Sequence, residues 1–110
     1  MSFKKEESSL LPYSRAAIME AMPAVCEKMK WKIETLDKNL GIVRSRARES
    51  ALSWGEIITI NVKEYKKNSR VYVRSESFIT PYGGTVFSII KNRLNIRNFF
   101  KELNKALEGS

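Results

Sequence analysis

SWGEIITINVKEY, residues Ser53 to Tyr65, is the stretch whose reading decides the fold. Ile58, Ile60 and Val62 alternate with Thr59, Asn61 and Lys63. A period of two with one apolar side predicts a half-buried β-strand. Its predicted partner runs from Arg70 to Ile79, across a short turn at Lys66 to Ser69. There Val71, Val73, Ser75, Ser77 and Ile79 alternate with Tyr72, Arg74, Glu76 and Phe78, and Pro81 ends the run.

Working outward from this hairpin, Lys30 to Leu36 reads as a strand with Trp31, Ile33 and Thr35 on one side. Asp37, Lys38 and Asn39 supply turn chemistry, and Gly41 a positive φ. Ile42 to Glu49 reads as the next strand, with Val43, Ser45 and Ala47 inside and Arg44, Arg46 and Arg48 outside. Upstream, Ser14 is a good N-cap. Ile18, Ala21, Met22, Val25 and Met29 then make one stripe of an amphipathic helix over Arg15 to Lys30. Pro23 either kinks that helix or restarts it; the unbroken phase of the stripe favours a kink. Downstream, Ile96, Phe99, Phe100, Leu103 and Leu107 give a last helix, capped by Asn92 or Asn95. The run Thr85 to Ile90, beside Gly83 and Gly84, reads as a short strand or as a loop over the core. Met1 to Tyr13 is polar and patternless and is expected to be a flexible leader to one domain over residues 14–108.

The predicted fold is therefore α+β, a two-layer sandwich in the order αββββα. Strands joined by short turns are antiparallel neighbours, and the single apolar stripe of each helix seats both helices on one face of a four-stranded antiparallel meander. The other face stays open.

Composition narrows the function classes. The 110 residues are 43% hydrophobic and 29% charged, which fits one globular domain. The net charge of +8 suits an anionic partner, and it also suits solubility by like-charge repulsion. With no histidine, Ser-His-Asp and Cys-His catalysis and the common zinc sites are excluded. The single cysteine, Cys26, lies beside the helix stripe and reads as a buried apolar residue. The lone thiol, the absence of an apolar leader and the absence of a membrane-length run point to a cytoplasmic setting. No phosphate-binding glycine loop occurs, so no cofactor and no metal are expected.

Three stretches carry a resemblance. SWGE at Ser53 to Glu56, VYVRSES at Val71 to Ser77 and KNRLNIRNFF at Lys91 to Phe100 resemble a family of small uncharacterised bacterial domains. In that family a WGE strand is followed by a V-x-S-x-S strand and a K-N-x-x-N-I helix start. The likeness runs from Ser14 to Leu107 and implies no catalytic role. Where this chain has Ile89 and Ile90, the family often has a polar or aromatic residue. More distantly the pattern is similar to helix-grip domains, including those of the lipoprotein subunit of the outer-membrane barrel-assembly machine.

The expected role is a non-catalytic binding or accessory module. The first reading is protein contact or self-association through the open sheet face or the edge of the fourth predicted strand. The second is an anion-binding face for single-stranded nucleic acid or acidic lipid, built from Lys32, Arg44, Arg46, Arg48, Lys63, Tyr72 and Arg74. Three arginines about 6.5 to 7 Å apart along one strand suit a phosphate backbone, while a solvated charged face is the plainer reading. The third is a small apolar ligand between helix and sheet, in a pocket left by the small residues Ser45, Ala47, Ser75 and Ser77. Those small side chains equally suit close approach of a helix. Glu56 and Glu76 are both expected to face outward, beside Arg74 and Lys63. Trp31 and Trp54 read as core or rim packing.

Overall fold

The computed structural model describes residues 2–47, 53–79 and 85–109. Its seven elements are, in chain order, β1 (Ser2–Leu11), α1 (Arg15–Met29), β2 (Lys32–Asp37), β3 (Ile42–Arg46), β4 (Ser53–Tyr65), β5 (Asn68–Ile79) and α2 (Thr85–Glu108). The strands form one antiparallel sheet in the order β1-β5-β4-β3-β2. Both helices pack on one face of it and against each other, α1 over β2 and β4, α2 over β1 and β5. The α+β class and the two-layer arrangement agree with the sequence reading; the strand count is five, not four.

The inward parity of β4 and β5 is as the alternation predicts. Ile58, Ile60, Val62, Val71 and Val73 are buried, and Tyr72 and Arg74 are exposed on the other face. Facing them, α1 buries Ile18, Met19, Met22, Val25 and Cys26. The helix starts at Ser14, whose Oγ accepts from Ala17 N at 3.1 Å. It runs unbroken through Pro23, whose ring faces solvent. It stops at Lys30, which takes a left-handed φ of 62° and donates its N–H to the carbonyls of Cys26 and Glu27. Such a C-cap satisfies carbonyls the helix would leave bare.

Four expectations are corrected. First, the N-terminal segment is not a flexible leader: Ser2–Leu11 pairs residue for residue with β5 over ten positions. The fourth predicted strand is therefore covered along its length, and protein contact through that edge is excluded. Second, Thr85–Ile90 is neither strand nor loop but the first part of α2. Third, Asn92 and Asn95 do not cap that helix; both lie inside it with buried side chains. Fourth, Thr35 is exposed and Leu36 packs on the core instead, because the β2–β3 register shifts between Ile33 and Thr35. An extra residue in one strand inverts the parity of every later residue in it.

Candidate functional site

A second bulge lies just before Glu56. The β4–β5 register shifts between Ser53 and Glu56, and Gly55 has a φ of 95°. Glycine adopts such a φ without strain, as a bulge of this kind requires. From the bulge onward Glu56 shares the inner side with Ile58 and is 1% exposed. The expectation that it faces outward is wrong. Glu76 does face outward, where its carboxylate meets Arg74 at 3.5 Å.

Glu56 opens a buried polar cluster beneath α2. Its Oε1 accepts from Asn95 Nδ2 at 3.2 Å. The same amide nitrogen reaches Ser75 Oγ at 3.3 Å. Ser75 Oγ donates to Asn92 Oδ1 at 2.7 Å, and Asn92 Nδ2 donates to Ser77 Oγ at 3.0 Å. Asn92 thus grips two serines that sit two residues apart on β5, the spacing that places both on one side of a strand. The inner face of α2 is polar at Asn92 and Asn95, then apolar through Ile96, Phe99, Leu103 and Leu107. Phe99 stacks on Trp31, with ring centroids 5.8 Å apart and planes 13° from parallel.

These five polar residues belong to the three stretches that carry the sequence resemblance. Glu56 ends the WGE motif, Ser75 and Ser77 are its V-x-S-x-S serines, and Asn92 and Asn95 are the asparagines of K-N-x-x-N-I. Sequence reading placed the serines inward but missed the glutamate and both asparagines. Counting back in twos from Ile60 would have put Glu56 inside.

Beside this cluster a groove of about 420 Å³ opens between the end of α1, β3 and α2. Met29, Trp31 and Ala47 give its apolar part. Lys28, Lys30, Lys91 and Glu102 stand around it, and Asn95 and Asn98 complete its lining. Asn95 therefore touches the groove on one side and Glu56 on the other. Ser45, two residues before Ala47, has a buried Oγ with no hydrogen-bond partner among the described residues. Of the four small residues expected to leave a pocket, Ala47 lines the groove, Ser75 and Ser77 are engaged by asparagines, and Ser45 lies deeper.

The open face is placed as expected, but its centre differs. Lys32, Arg44, Arg46, Lys63, Tyr72 and Arg74 all lie on it; Arg48 is outside the described residues. Arg44 and Arg46 are bridged by Glu34 at 3.6 and 3.2 Å, and Arg74 pairs with Glu6 and Glu76. Arg44, Arg46 and Arg74 thus each have a carboxylate beside them, with Glu34 shared between the first two. Trp31 is buried as core, and the side chain of Trp54 is outside the described residues. Burial pushes the Cys26 thiol up to about 11, far from the range of a reactive thiolate. Among the described residues no group of three or more Cys, Asp or Glu could hold a metal ion. No helix among them is long and apolar enough to cross a membrane.

A five-stranded antiparallel sheet gripping a long C-terminal helix defines a helix-grip fold, and solved structures of that shape match the whole chain. Ara h 8.0201 superposes with a TM-score of 0.79, covering 100% of both chains at 9% identity. An aromatase/cyclase from Streptomyces gives 0.70, covering 99% of this chain and 93% of its own, at 9% identity. Norcoclaurine synthase from Thalictrum flavum gives 0.69, covering 96% and 92%, again at 9% identity. The synthase has also been solved with dopamine and hydroxybenzaldehyde bound. At this identity the likeness shows the fold alone. No protein-family model matches the chain, and no curated protein matches it.

Proposed function

We propose that the protein is a non-catalytic small-molecule-binding module whose ligand sits in the groove between the end of α1, β3 and α2. The observation that carries this reading is the junction at Asn95, where a groove of about 420 Å³ meets a buried polar cluster. That size lies in the range of ligand pockets, which combine apolar walls with a few fixed polar groups. Met29, Trp31 and Ala47 suit an aromatic or aliphatic body; Lys28, Lys30 and Lys91 suit a carboxylate or sulfonate on it. The ligand class is a small amphiphilic anion. The fold neighbours support this reading better than they support protein contact through the open sheet face, since two of them are named for chemistry on small molecules. Those two are also enzymes by name. Binding without turnover is favoured here because the buried carboxyl group of Glu56 is held by Asn95 below the surface, and Glu102, the carboxylate on the groove, is paired with Lys105 at 3.8 Å. We also infer a cytoplasmic setting, in which the single buried thiol of Cys26 stays reduced.

The test is a titration with anilinonaphthalene sulfonate and with decanoate, read by fluorescence and by thermal shift. Saturable one-to-one binding that raises Tm supports the reading, because a ligand of the native state stabilises by mass action. Asn98→Trp, at an exposed helix position on the groove, should block binding with Tm unchanged in the free protein. Binding that survives Asn98→Trp, or none across a panel of such anions, overturns it.

A further inference from the structure

On the open side of the sheet, away from the groove, lies a second feature. The β4–β5 hairpin turns at Lys66 and Lys67, between the paired residues Tyr65 and Asn68. Lys66 has a φ of 60°, so this tight turn carries a cation where the backbone favours glycine. Lys63 and Arg70 are opposite one another two pairs down the hairpin from Tyr65 and Asn68, on its open side. Among the described residues, the ion pairs engage Arg44, Arg46, Arg74 and Lys105 but none of Lys63, Lys66, Lys67 or Arg70. Glu64, the acidic residue within this stretch, belongs to the other side, where it accepts from Arg15 N. Four cations are thus concentrated at one end of the sheet.

Two exposed rings stand among them. Tyr65 is 72% and Tyr72 41% exposed. Lys63 Nζ lies 5.4 Å from the centre of the Tyr72 ring, and Lys66 Nζ 5.7 Å from that of Tyr65. A base stacking on either ring gains more than an exposed cation–π contact gives up, and the displaced ammonium is then beside the base, where its phosphate lies. A shallow groove of about 580 Å³ leads from Lys63 along the open face, past Thr59, Asn61, Tyr72 and Ser8 to Arg74, with Glu6 and Glu7 on its β1 side, where Glu6 pairs with Arg74. Hydroxyls and an amide there offer hydrogen bonds to base edges. We propose that this hairpin end and the adjoining sheet face bind single-stranded nucleic acid, cations on phosphates and tyrosines on bases. Acidic lipid fits less well, since the turn itself is Lys66-Lys67, the face beside it is Thr59 and Asn61, and Leu10, opposite Arg70 on β1, is the one exposed aliphatic side chain paired with these cations.

The test is fluorescence anisotropy with labelled oligo(dT) and oligo(U) over a salt series, with duplex DNA, heparin and phosphatidylserine vesicles alongside. Four cations predict that log K falls with log salt at a slope of about −2 to −3, each contact contributing about −0.7. Lys63→Gln with Arg70→Gln should flatten the slope by about 1.4. Tyr72→Ala should weaken binding about fivefold or more at every salt with the slope unchanged, and Tyr72→Phe should restore it. None of the three substituted positions is buried, and an unchanged Tm separates lost binding from lost fold. The proposal is overturned if no oligonucleotide binds at low salt. It is equally overturned if Tyr72→Ala leaves affinity unaltered, if duplex and heparin bind as well as single strands, or if vesicles bind and oligonucleotides do not.

Discussion

Asn95 Nδ2 lies 3.2 Å from Glu56 Oε1, joining the middle of α2 to the first residue past the β4 bulge. With Asn92 held by Ser75 and Ser77, it fixes where the long helix lands on the sheet. A polar cluster of this kind is directional in a way that apolar packing is not, so it sets register as well as adhesion. It also sets the depth of the groove, because Asn95 is common to both.

Asn92→Ala should therefore cost about 2 to 3 kcal/mol, since it removes two buried hydrogen bonds at once, leaving the Ser75 hydroxyl without its acceptor and Ser77 without its donor. Urea unfolding checks this. A loss under about 0.5 kcal/mol, the range of an ordinary surface change, would show that the cluster does not hold the helix.

How far the fold and the site are legible in the sequence depends on which forces act locally. Ile58, Ile60 and Val62 declare their parity because one side of β4 is fully buried and the other is wet. β1 declares nothing: Lys5, Glu7 and Ser9 oppose the inward residues Ser75, Val73 and Val71, yet the first two stay exposed. An edge strand held by its backbone ladder needs no apolar alternation, and its charges guard the edge. Asn92 and Asn95 mislead because asparagine favours caps over helix interiors. Tertiary hydrogen bonds to Ser75, Ser77 and Glu56 override that preference, and no local pattern announces them. The arginine row is visible in the sequence, and alternation places Glu34 on the same face, but the pairing of that one carboxylate with both Arg44 and Arg46 is a cross-strand contact that no local pattern announces.

Gly41 gives a second prediction. Its φ is 70°, its carbonyl accepts from Val62 N at 2.7 Å, and an added Cβ would collide with the Val62 carbonyl oxygen and with Arg15 Cδ. The backbone there cannot retreat without breaking the contact to β4. Gly41→Ala should cost more than about 2 kcal/mol by urea midpoint, whereas Gly109→Ala should change stability by less than about 0.5 kcal/mol.

Cys26 gives a pH dependence. Burial lifts its pKa from 9.0 to about 11. Below pH 9 both folded and unfolded thiols are protonated and the group contributes no slope. Between pH 9 and 11 the unfolded chain releases a proton that the native state keeps, so stability falls as pH rises, by up to about 2 to 3 kcal/mol. Because lysines and tyrosines titrate there too, the measurement is the difference between the wild type and Cys26→Val. That difference should be flat below pH 9 and should shrink above it; a difference independent of pH contradicts the burial.

Glu34 gives a fourth. It holds Arg44 and Arg46 at 3.6 and 3.2 Å on the solvent side of the sheet. Glu34→Gln should change stability by no more than about 1 kcal/mol, as for other exposed pairs, yet should increase retention on heparin by freeing two guanidinium groups. Unchanged retention would mean that the pair does not mask this end of the face.

Whether the groove beside Asn95 is the ligand site is tested most directly by amide chemical-shift mapping during a titration with anilinonaphthalene sulfonate. The predicted result is saturable shifts at Met29, Trp31, Ala47, Asn95 and Asn98. Shifts confined to Thr59, Asn61 and Tyr72 on the opposite face, or none at saturating concentration, would contradict it.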